Sequence, residues 1–190
     1  MQAIQDRYPR SFPADPKDGT RVGFACDVGW FPIIEHLCAT AQDYIDHTVF
    51  SVEGRDGEPL SLNPPQLVFD VIKEKLGTGR FYERLLPYPE ETAAALEGET
   101  LAKVLAICSA KFEGMILFAE HLTSVTCEKC GKPGELMNRK GYLSTRCPKC
   151  GKREGFKPRP REGSPSTRLR VMPVPGFIEP RDEPPQSDGV

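Results

Sequence analysis

Two short stretches of this chain are near copies of each other: Cys127-Glu128-Lys129-Cys130-Gly131-Lys132 and Cys147-Pro148-Lys149-Cys150-Gly151-Lys152. Nothing else in the sequence restricts the fold as tightly. Each Cys-x-x-Cys brings two thiolates to one centre, and 16 residues separate Cys130 from Cys147, a spacing found in ribbon-like zinc sites. The glycine after each pair suits a tight turn whose amide hydrogens point at sulfur. Four thiolates close a tetrahedron and leave no position for water or substrate, so the expected cofactor is a structural zinc and not a catalytic one. Few apolar side chains lie nearby beyond Leu136, Met137, Tyr142 and Leu143, so metal binding is expected to supply the folding energy of this segment.

A length of 190 residues allows one domain with a modest core and a small satellite module. No window approaches the roughly 18 consecutive apolar residues of a membrane span, and the stretch from Met1 to Arg7 lacks the apolar run of a secretory signal. The expected setting is therefore cytosolic and reducing, where paired cysteines hold metals more often than disulfides. Charge is divided along the chain. From Cys127 to Arg170 there are 13 Lys and Arg against 4 Asp and Glu, whereas the remaining residues hold 12 against 23. An acidic body with a basic end points to an anionic partner for that end, the plain alternative being a solvated basic surface.

The fold class expected is α+β: a small domain with two main helices and a short antiparallel sheet or hairpin, then a C-terminal zinc ribbon and an extended tail. Residues 1–20 are polar and proline-bearing and read as a flexible N-terminal arm. The α+β domain is expected over 21–123, opening with a short strand around Arg21–Cys26 and a turn at Asp27-Val28-Gly29. Trp30, Ile33, Ile34, Leu37, Cys38, Ala41, Tyr44 and Ile45 recur at helical spacing, with Pro32 tolerable only in the first turn. Thr48–Val52 reads as a strand, followed by a loop through Pro65. Leu67–Leu86 reads as a β-hairpin broken at Gly77-Thr78-Gly79, with Ile72, Leu76 and Phe81 facing inward. A second helix is expected from Thr100 to Leu122, on the stripe Leu101, Val104, Leu105, Cys108, Phe112, Met115, Ile116, Ala119 and Leu122. The ribbon is expected over 124–155 and a proline-rich extended tail over 156–190.

The functional cue is the charge around the ribbon. Lys129, Lys132, Arg139, Lys140, Arg146, Lys149, Lys152 and Arg153 are candidate phosphate contacts, and Tyr142 is a candidate for stacking on a base. Lys157, Arg159, Arg161, Arg168 and Arg170 would extend them as a basic arm. Gly77-Thr78-Gly79 lacks the downstream Lys-Ser/Thr of a nucleotide-binding loop and reads as a turn. Pairing His36 with Cys26 or Cys38 would make a nucleophile, but buried structural cysteines are the commoner case. A His-metal nuclease would want a histidine pair close to the cysteines, where only His121 stands.

Three blocks together resemble a known group. They are Phe24-Ala25-Cys26-Asp27-Val28-Gly29-Trp30 with Ile33-Ile34-Glu35-His36-Leu37-Cys38, then Lys73–Tyr82, then Ser124–Gly134. Over about residues 21–151 the chain is similar to small zinc-ribbon proteins of bacteriophages and prophages, mostly uncharacterised. It departs from the group's usual aromatic residue at Leu76 and large apolar residue at Gly79. The resemblance implies a mobile-element origin and the cytoplasm of a bacterial host. The expected role is a non-enzymatic accessory protein that binds nucleic acid or a host complex handling nucleic acid, with no catalytic residues, no membrane and no small-molecule substrate. The alternative is a protein-interaction inhibitor of a host defence or polymerase complex, acting through the acidic body.

Overall fold

Helical spacing of apolar residues produces the two long helices around which the domain is built. The computed structural model describes residues 1–15 and 17–159. Among these residues there are five α-helices and three small sheets, a mixed α+β arrangement. The short helix α1 spans Gln2–Arg7, and strand β1 spans Phe24–Ala25. A 3-10 turn over Val28–Trp30 leads into α2, Phe31–His47, with Pro32 in its first turn where no amide hydrogen is needed. Ile34, Leu37, Cys38, Ala41 and Ile45 form its buried face.

A hairpin of β2, Phe50–Glu53, and β3, Pro59–Leu62, comes next; the second strand occupies part of what read as loop. The long hairpin of β4, Leu67–Lys75, and β5, Thr78–Leu85, follows, as its β-branched and aromatic content predicts. Beyond the short helix α3, Glu90–Ala94, the 28-residue helix α4 runs from Gly98 to Val125. It buries Val104, Cys108, Phe112, Ile116 and Ala119 against α2 and the hairpin, with Phe112 edge-on to Tyr44 at 5.5 Å. No helix among the described residues is long and apolar enough to cross a membrane.

Two expectations are corrected here. The first 15 residues are not a loose arm: Ile4 is buried, and Phe12 is 0% exposed, stacked on Phe69 at 5.6 Å and tilted against Phe24 at 5.4 Å. Two aromatic partners outweigh the polar composition that surrounds Phe12 in sequence. In the long hairpin, Ile72 and Phe81 are buried opposite each other, but Leu76 is 66% exposed. The turn closes on Leu76 and Gly77, both at positive φ, one residue earlier than the glycines alone suggest, and this carries Leu76 out of the inward series.

The segment expected as the ribbon comprises β6, Glu135–Arg139, β7, Tyr142–Arg146, and α5, Pro148–Glu154, and regular structure continues past its expected end. Phe156 is buried, and β8, Lys157–Pro158, pairs with β6. The tail expected over 156–190 lies outside the described residues from 160 onward. The described residues fall in one compact unit, so ribbon and α+β domain share a structure.

If Phe12 belongs to the core, Phe12→Ala should lower unfolding free energy by about 3–5 kcal/mol. Urea denaturation checks this, since truncation in a solvated arm would leave stability within about 0.5 kcal/mol.

Candidate metal centre

The Sγ atoms of Cys127, Cys130, Cys147 and Cys150 all lie within 4.8 Å of one another. Cys130 and Cys147 are 3.7 Å apart. Metal–sulfur bonds of about 2.3 Å in a tetrahedron give edges of about 3.8 Å, so the four thiols fit a metal ion with little movement. Cys127, Cys147 and Cys150 are buried, and Cys130 is exposed.

The two arms reach this geometry differently. In the first, Cys130 and Gly131 donate backbone N–H bonds to the Cys127 carbonyl at 3.3 and 2.9 Å, with Gly131 at φ +74°, and Cys127 donates to the Lys132 carbonyl at 2.7 Å. In the second, Cys147 caps α5 and its sulfur accepts from the Cys150 amide at 3.4 Å. Gly151 therefore sits inside a helix, and it is needed for another reason: a Cβ there would collide with the Met137 sulfur. Of the two matched glycines, only Gly131 is the left-handed turn that the sequence suggests.

The electrostatics favour a cation at this point. The Cys150 amide hydrogen, more than any other contact, pulls the Cys147 thiol down to about 7. Burial pushes Cys127 up, and burial with the neighbouring thiols pushes Cys150 up to about 12. Four thiolates cannot share so small a space without positive charge among them; a dication supplies that charge and displaces the protons.

A second set of contacts joins the first arm to the start of α2. Gly29 donates its amide to the Glu128 carbonyl at 2.7 Å, the Asp27 amide donates to Glu128 Oε1 at 3.1 Å, and the Trp30 indole donates to the Thr126 carbonyl at 2.8 Å. A Cβ on Gly29 would strike the carbonyl of Cys127 and come within 2.6 Å of the Gly131 nitrogen. Glycine is required there by close approach of two backbones. Beneath this contact lies Glu128, 4% exposed, which accepts from Ser144 Oγ at 2.8 Å. Burial raises its carboxyl above the usual range, against the pull of Ser144 and Arg146.

Arg146 sits among three carboxylates: Asp27 and Glu128 at 3.3 Å and Glu154 at 3.4 Å. These are ion pairs with poor hydrogen-bond alignment, since its Nε and Nη1 have no aligned acceptor. The Phe156 ring lies 5.6 Å from the same guanidinium.

This placement sorts the candidate nucleic-acid residues. Arg146, only 7% exposed along its side chain, is an internal counter-ion and cannot reach a phosphate. Lys129 pairs with Asp27 at 3.2 Å. Arg139 donates to the Glu154 carbonyl at 3.0 Å and lies over Phe156 at 4.6 Å. Arg153 is exposed, 3.5 Å from Glu154. Lys132, Lys140, Lys149 and Lys152 are exposed. Tyr142 is half-exposed and donates to Glu74 at 3.0 Å. Of the extension, Lys157 and Arg159 are exposed, whereas Arg161, Arg168 and Arg170 lie outside the described residues.

Sequence reasoning missed Asp27, Gly29, Glu128, Glu154 and Phe156 as parts of this centre, because the partners lie up to about a hundred residues apart. Cys26 and Cys38 do not resemble activated nucleophiles: burial above all pushes each thiol up to about 12. Comparison with known protein families, curated proteins and solved structures found no match.

Replacing Cys147 with Ser should abolish metal retention and unfold the ribbon; unchanged metal content by native mass spectrometry would contradict the site. Gly29→Ala should retain the four thiols yet cost about 1–3 kcal/mol through overpacking. Trp30, the lone tryptophan, should report it as a red-shifted emission.

Proposed function

We propose that this chain is a non-enzymatic, phage-type accessory protein that holds zinc at its four cysteines and uses the resulting ribbon to bind nucleic acid. Zinc is the natural occupant of a closed four-thiolate tetrahedron, having no redox chemistry and no need of a fifth ligand. Its part is to fix the two arms, and through them β6, β7 and α5, as a rigid support. The bacteriophage resemblance adds a setting, the cytoplasm of a bacterial host, where nucleic acid or a complex handling it is the partner.

The observation carrying this reading is how the ribbon's cations divide. Between Thr126 and Arg159 there are ten Lys and Arg against three Asp and Glu. Arg146 and Lys129 are paired with carboxylates inside the assembly. Lys132, Lys140, Lys149, Lys152, Lys157 and Arg159 are exposed, with no carboxylate at ion-pair distance among the described residues. Cations left unpaired on a rigid scaffold are available to phosphates, and each phosphate neutralised releases counterions.

Native mass spectrometry should find one zinc per chain. Oligonucleotide binding, followed by fluorescence anisotropy, should weaken as salt rises, with a log–log slope of about −0.7 for each phosphate contacted on a single strand. Charge reversal at Lys140, Lys149 and Lys152 should flatten that slope without altering zinc content. Absence of binding to any oligonucleotide at low salt would overturn the reading.

A further inference from the structure

Leu76 is held where a leucine gains little from burial. It occupies the first position of a two-residue hairpin turn at φ +55°, a left-handed conformation that bulky side chains avoid and that Asn or Gly adopts readily. Its side chain nevertheless remains 66% exposed. The neighbouring Gly77, at φ +82°, makes the contact with the ribbon: its carbonyl accepts from Thr145 Oγ1 at 2.6 Å, and a Cβ there would collide with Leu136. Docking of the turn therefore does not need leucine at position 76.

The same turn is fastened to the ribbon's exposed aromatic residue. One carboxylate oxygen of Glu74 accepts the Gly77 amide at 2.6 Å, and the other accepts the Tyr142 hydroxyl at 3.0 Å. Burial and Glu74 push the Tyr142 phenol up to about 12, in keeping with a hydroxyl that donates to a carboxylate. Behind the 46%-exposed Tyr142 ring lies Phe156 at 6.0 Å, itself covered by the Arg139 guanidinium. Tyr142 is thus fixed at its hydroxyl and backed on one side. Lys75 precedes Leu76, and Arg139, the cross-strand partner of Tyr142, is followed by Lys140 at the hairpin tip; all three are exposed.

We infer that this seam between the β4–β5 turn and the β6–β7 hairpin receives an unpaired base of single-stranded nucleic acid. The inference rests on the nucleic-acid reading above and narrows it to a substrate class. Leu76 and Tyr142 supply the apolar and aromatic surface for the base, and Lys75 and Lys140 meet the flanking phosphates. Bases of a duplex are already stacked and cannot enter, whereas an unpaired base has a free face to offer.

The test compares fluorescently labelled single-stranded DNA, single-stranded RNA and duplex DNA of equal length at low salt, using the zinc-loaded full chain. Single strands should bind more tightly than the duplex, and the ratio of the DNA and RNA arms identifies the source. Tyr142→Leu should weaken single-strand binding by about ten-fold and leave duplex binding unchanged. Leu76→Asn should weaken it several-fold while holding or raising the melting temperature, because asparagine suits the turn; loss of binding then cannot come from misfolding. Equal affinity for single strands and duplex, unaltered by either variant, would overturn the inference and leave cation-mediated binding standing. No binding of any nucleic acid would overturn both.

Discussion

A backbone hydrogen bond joins the ribbon to the turn before α2, the amide of Gly29 on the carbonyl of Glu128 inside the first cysteine arm, beside the side-chain contacts of Tyr142 with Glu74 and Thr145 with Gly77. The backbone contact is possible only because Gly29 lacks a side chain, and it puts the turn leading into α2 against the residue next to Cys127. The surrounding groups serve it. Trp30 donates to Thr126, Glu128 turns its carboxylate inward, and Arg146 neutralises the acid so buried. Breaking such a buried ion-pair cluster by removing one member leaves an unpaired charge in a place water cannot reach. The four-cysteine cluster and the domain core are consequently joined by buried polar contacts within one compact unit.

Much of this was legible in the sequence where the signal is local. The four cysteines stand at ligand spacing, and α2 and α4 follow from apolar residues three and four apart. The β4–β5 hairpin follows from a β-branched and aromatic run interrupted by glycine. What escaped depends on contacts between distant segments. Phe12 lies in a polar, proline-bearing stretch, and only Phe24 and Phe69 make it core. Arg146 looks like one more surface cation until Asp27, Glu128 and Glu154 converge on it. Phe156 heads a proline-rich stretch, yet two guanidiniums and Tyr142 gather around its ring. Leu76 continues the inward alternation on paper and leaves it because the turn comes at Leu76-Gly77.

The basic character of the ribbon has two separate meanings. One part is architectural: Arg146, Lys129 and Arg139 hold carboxylates, a carbonyl and an aromatic ring in place. The other part faces water. Net charge over the segment blends the two and overstates what is available to a partner.

The clasp between residues 27–30 and 126–131 also sets an order of events during synthesis. The chain leaves the ribosome from its N-terminus, so Gly29 and Trp30 emerge long before their partners at Glu128 and Thr126. The metal site needs Cys150 as well, and β6 gains its β8 partner only once Pro158 is out. Contacts so far apart in sequence close slowly, and until they do the unfinished domain shows apolar surface that the complete one hides. The four cysteines can come together only once Cys150 has emerged, so the cluster closes late on a fold begun at the other end of the described residues.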